Sequence, residues 1–147
     1  MVYINPVRYI KKEDAAYFVR QQYKLTGVIF FTLAFVLGLL YFSVAPKMMR
    51  LYANFSIAPH PFTKALLYIA VLSIVVLVFF GLQSFGKKVD KSELSKKLRA
   101  YKPREMILSN KVLDMRMAYV AMAIAFAMIA ILTASVILPI YNLTENL

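Results

Sequence analysis

Three stretches of this chain carry no charged residue: Leu25 to Pro46, Ala65 to Gly86, and Met117 to Thr144. The first two are 22 residues long and the third 28, against the roughly 20 that an α-helix needs to cross about 30 Å of hydrocarbon. Within them apolar residues run on continuously, without alternating every second position as the strands of a transmembrane barrel do. Backbone polar groups in lipid must be satisfied within the segment, so such runs are read as helices. A 61% hydrophobic composition agrees, since soluble domains hold about 45–50% apolar residues. The expected fold is therefore an all-α integral membrane protein with three transmembrane helices, plus short interfacial and cytoplasmic helices.

The charges outside these stretches set the expected orientation. Lys and Arg number five before the first span, three between the first and second, ten between the second and third, and none after Arg116. By the positive-inside rule the N-terminus and the 87–116 loop are expected in the cytoplasm, and residues 47–64 and the C-terminus outside. The divisions are a cytoplasmic interfacial segment 1–24, spans 25–46, 65–86 and 117–141, an outside loop 47–64, a basic cytoplasmic loop 87–116, and an outside tail 142–147. Ser43-Val44-Ala45 has the small-x-small look of a signal cleavage site. The apolar run before it exceeds the usual 7–15 residues or so of a signal peptide, so the segment is read as an anchor.

A net charge of +11 in a soluble protein would suggest nucleic acid. Here the cations follow the membrane, and the basic loop offers only Tyr101 as an aromatic platform, so no nucleic-acid partner is expected. Lys87, Lys88, Lys96, Lys97, Arg99, Lys102 and Arg104 are instead expected to meet anionic lipid headgroups or a cytoplasmic partner. Within that loop Asp90 is placed to cap a helix, with Glu93 answering as in a capping box. Leu94, Leu98 and Tyr101 follow at helical spacing and give an apolar stripe, in a helix expected to end near Pro103. A second helix is expected from Arg104 to Arg116, feeding the third span.

Residues 1–24 interleave tyrosines with Arg and Lys, and an interfacial helix is expected to run from about Lys12 into the first span. In the outside loop, Pro46 at one end and Pro59 and Pro61 at the other are expected to stop the flanking helices. Tyr52, Phe55 and His60 are the loop residues expected to touch a neighbour. In the third span Ala123, Ala127, Ala130 and Ala134 repeat at 4, 3 and 4 and so line one face. A small-residue face allows close helix approach where lipid gives no hydrophobic drive. It is read as a helix-packing interface, against either the chain's own spans or another subunit.

No Asp, Glu, Lys, Arg or His lies inside a span, which speaks against proton relay and ion-coupled transport. There is no cysteine, and no Gly-rich phosphate loop or Ser-His-Asp set can be assembled. The lone His60 lacks a partner for haem or metal ligation, and Met117, Met122 and Met128 are read as flexible packing. No enzyme, cofactor or metal is expected.

Val44-Ala45-Pro46-Lys47, Leu51-Tyr52-Ala53-Asn54-Phe55 and Pro61-Phe62-Thr63-Lys64-Ala65-Leu66-Leu67, with Leu138-Pro139-Ile140-Tyr141-Asn142-Leu143 near the end, resemble the F-domain family. These are inner-membrane platform proteins of type II secretion and type IV pilus machines. The likeness covers about 40 residues. It implies three spans with the N-terminus inside and the C-terminus outside, and a role beneath a pilus or pseudopilus, contacting an assembly ATPase. The cytoplasmic helical domains of that family have no counterpart in this sequence. The reading that follows is a non-catalytic accessory subunit of a multiprotein complex, with other integral membrane subunits as partners, in a membrane expected to be the bacterial inner one. The alternatives are a pared-down platform protein and a small oligomeric transporter or channel. For the last, Thr32, Ser43, Ser73 and Ser135 would have to form a polar face.

Overall fold

The computed structural model of the protein describes residues 9–59 and 61–145. Three long helices dominate: α1 (Ala15–Asn54), α2 (Pro61–Gly86) and α5 (Arg116–Glu145). Each contains a segment long and apolar enough to cross a membrane, which makes this a multi-pass membrane protein. Between α2 and α5 lie α3 (Lys91–Leu98), the strand β2 (Met106–Leu108) and the single-turn α4 (Ser109–Val112). A strand β1 (Tyr9–Lys11) and one 3₁₀ turn, Lys12–Asp14, precede α1.

α1 is the spine of the molecule, packing against both α2 and α5, which engage each other less. Ala34, Leu37 and Phe30 of α1, Ala70 and Leu77 of α2, and Ala121, Met128 and Leu132 of α5 form the core between the helices. The approach of α1 to α2 depends on two glycines. A Cβ on Gly27 would stand 2.8 Å from the Phe85 ring, and one on Gly81 would stand 3.1 Å from the Phe31 ring. Each aromatic ring thus fills the space that a missing side chain leaves.

At 40 residues, or about 60 Å, α1 is twice the length a bilayer requires, and it overhangs at both ends. Pro46 lies inside it, contrary to the expectation that this proline ends the helix. The ring removes one backbone hydrogen bond, to the Phe42 carbonyl, but helices in lipid tolerate this where neighbours and packing hold them straight. α1 stops eight residues later in a Schellman motif. Ser56 adopts the left-handed conformation with φ 54°, and the N–H groups of Ser56 and Ile57 reach back to the carbonyls of Ala53 and Tyr52 at 3.1 and 3.0 Å. The expected loop of residues 47–64 is therefore mostly helix, and α2 begins at Pro61, where the missing N–H has no helical partner to lose.

The 87–116 segment also departs from expectation. α3 does form on an Asp90 cap, whose carboxylate accepts from the N–H groups of Ser92 at 2.9 Å and Glu93 at 3.2 Å. Glu93, however, does not close a capping box; its carboxylate pairs with Lys97 at 3.3 Å, one turn on. α3 ends at Leu98, short of Pro103, and the helix expected over 104–116 is replaced by β2, α4 and a short extended link. β2 pairs antiparallel with β1, Ile10 opposite Ile107. A second small core then gathers Ala15 and Val19 of α1 with Leu98, Ile107 and Val112, and the expected apolar stripe of Leu94, Leu98 and Tyr101 faces into it.

Candidate functional site

The molecule presents two candidate surfaces, one on α5 and one at the end that holds β1, β2 and α3. On α5 the residues turned into the bundle are Ala118, Ala121, Ala125, Met128, Leu132 and Ser135, all buried. They recur at 3, 4, 3, 4 and 3, as one helical face must. Ala123, Ala127, Ala130 and Ala134 are all exposed. At about 100° per residue they lie on nearly the opposite side of the helix. The small-residue stripe picked out from the sequence is thus left exposed by the described residues, and the inward stripe is a different set of alanines with similar spacing.

At the basic end Lys87, Lys88, Lys96, Lys97, Arg99, Lys102 and Arg104 are all exposed, but they do not converge on one point. Lys87 and Lys88 follow α2, Lys96 and Lys97 lie on α3, and Lys102 and Arg104 lie in the turn before β2, where Arg104 is left-handed with φ 66°. The Lys87 ammonium sits 4.9 Å from the centre of the Tyr23 ring, a cation–π contact that ties the end of α2 to α1.

Three residues that sequence reasoning passed over hold this end together. Lys12 donates from its ammonium to the Tyr101 carbonyl at 2.6 Å. The Gln22 side chain, 6% exposed, clamps the approach to α5 from both sides. Its amide nitrogen donates to the Asp114 carbonyl, and its oxygen accepts from the Asp114 N–H at 3.2 Å. A lone glutamine near the start of an apolar helix gives no local sign of a partner 92 residues away.

At the opposite end Tyr52 is 6% exposed, and its hydroxyl lies 3.3 Å from that of Thr63, itself buried. It joins α1 to α2 and is not free for a neighbour, as the loop reading had it. Phe55 is 54% exposed and remains available, while His60 lies outside the described residues. Ser73, Thr133 and Ser135 donate to carbonyls of their own helices, Ile69, Ile129 and Leu132, and Thr32 and Ser43 are exposed, on the outside of the bundle. Among the described residues no three His, Asp or Glu side chains group to hold a metal.

These features define the class: a three-helix membrane protein with a small folded cap at its basic end. No protein-family model, curated protein or solved structure matches the chain. The likeness to F-domain platform proteins therefore rests on residues 44–67 and 138–143 alone.

Proposed function

We propose that this protein is a non-catalytic subunit of a larger membrane complex, docking another integral membrane subunit along the outer face of α5. The observation that carries this reading is the exposure of Ala123, Ala127, Ala130 and Ala134, while the chain's own packing uses the other face of the same helix. In lipid, helices associate through close backbone approach and van der Waals contact, and a row of small side chains about one turn apart is the surface that allows it. The partner is accordingly a transmembrane helix with a small or complementary face.

The orientation proposed is N-terminus and basic cap in the cytoplasm, with the short 55–60 connection outside, as the distribution of lysine and arginine favours. A bacterial inner membrane fits that distribution and the F-domain likeness. The cap has its own buried core and presents its cations from a fixed surface. That favours, as a second reading, a pared-down secretion or pilus platform whose cap meets a soluble partner.

Extraction in a mild detergent, followed by sizing and mass spectrometry of the co-purifying chains, tests both. An assembly with other membrane subunits supports the first reading, and one with a secretion ATPase and pilins supports the second. A clean monomer contradicts both.

A further inference from the structure

At the basic end the three long helices do not close on one another. A cleft of about 800 Å³ opens between α1, the last turn of α2, the start of the cap and the beginning of α5. It straddles the boundary of the apolar stretches. Thr26, Gln83 and Met117 in its wall belong to the charge-free segments, whereas Lys87, Lys88 and Asp114 belong to the charged ones. If the spans sit in a bilayer, this cleft lies at headgroup depth.

Its wall carries three lysines, Lys87, Lys88 and Lys97, and three carboxylates, Asp90, Glu93 and Asp114. Each acidic side chain in the wall already has a partner. Glu93 has the Lys97 ammonium at 3.3 Å. Asp90 has the N–H groups of Ser92 and Glu93. Asp114 accepts from the Arg116 N–H at 3.0 Å and lies 4.0 Å from its guanidinium. Among the described residues, neither Lys87 nor Lys88 has a carboxylate within ion-pair distance. The Tyr23 ring beneath Lys87 attracts the ammonium without neutralising it. Lys87 and Lys88 are thus left without an ion pair at a cleft that also offers the Gln83 amide and the Ser84 hydroxyl.

We propose that this cleft is a binding site for one anionic glycerophospholipid, its phosphate taken by Lys87 and Lys88 with Gln83 and Ser84 as neutral donors. The chemistry of the site is that of a phosphate. A lipid source is favoured over a free ion because the wall of the cleft is in part apolar, with Val19, Leu94, Val112 and Met117 lining it, and Met117 is 41% exposed. Acyl chains can meet that apolar wall, which inorganic phosphate would not use. The two ammonium groups without an ion pair favour an anionic headgroup over a zwitterionic one. The proposal holds whether or not the protein is a subunit of a larger complex.

Native mass spectrometry of the purified full chain tests it, with phosphatidylglycerol, phosphatidylcholine and inorganic phosphate as probes. One phosphatidylglycerol per chain is expected to survive activation that strips phosphatidylcholine, and excess inorganic phosphate is not expected to displace it. Replacing both cleft lysines, Lys87→Gln with Lys88→Gln, is expected to weaken retention about thirtyfold, taking each cation near a charged surface at its usual strength. The pair Lys96→Gln with Lys102→Gln removes the same charge away from the cleft and is expected to change retention less than about twofold. Gln83→Leu, which leaves the charge untouched, is expected to weaken retention by a smaller factor. Equal losses in the two lysine pairs would overturn the proposal in favour of diffuse attraction. Displacement by inorganic phosphate would overturn the lipid as the source.

Discussion

The two faces of α5 are built from the same material and do different things. Inward, Ala118, Ala121 and Ala125 are 2%, 0% and 3% exposed, pressed towards α1 and α2. Outward, Ala123, Ala127, Ala130 and Ala134 have similar spacing and are left exposed by the described residues. In water such a difference would be written in polarity, because the outer face would be charged. In lipid both faces are apolar, and small size is the mark of a surface meant for another helix. One face meets that need within the chain, and the other is the face proposed to receive a partner.

The sharpest way to break the comparison is to empty the inward side. Leu77 of α2 is fully buried in the core that receives Ala121. Leu77→Ala is expected to cost about 2–5 kcal/mol of the isolated chain's stability, through lost contact and the cavity left behind. Unfolding in mixed micelles, followed by helicity, measures this. Filling the inward side should do less. Ala121→Leu places three extra carbons where nothing is exposed, for an expected loss of about 1–3 kcal/mol by overpacking. The matching changes on the outer face, Ala127→Leu with Ala130→Leu, should move the isolated chain's stability by less than about 0.5 kcal/mol.

The same contrast explains what could be read from the sequence. The three spans were legible because their length and freedom from charge are local properties that lipid enforces on any chain. The Asp90 cap was legible for the same reason, the N–H donors to its carboxylate lying two and three residues on. The face of α5 that packs inward was not, since alanines recur at 3 and 4 on both sides and no polar residue breaks the tie. Pro46 was misread because the rule that proline ends a helix comes from helices in water, and Tyr52 was misread with it. Once α1 runs on to Asn54, Tyr52 falls on the buried stripe with Ala45 and Met48.

The basic cap was the least legible part. β1 and β2 are three residues each, too short to carry a periodicity, and they pair across most of the chain. Gln22 and Asp114 meet over a similar distance. Where contacts are local the sequence declares them, and where they close a long loop it gives only composition. A segment rich in lysine was therefore read as a basic loop carrying two helices, although it folds onto the overhang of α1 through a strand pair and a small core.

The central claim, that the outer face of α5 is a docking surface, is tested most directly by carrying Ala127→Leu with Ala130→Leu into the native membrane and weighing the extracted assembly. The account predicts that the variant is inserted and folded as the parent is, but is recovered without the membrane subunit that accompanies the parent. Recovery of that subunit in undiminished amount would contradict it.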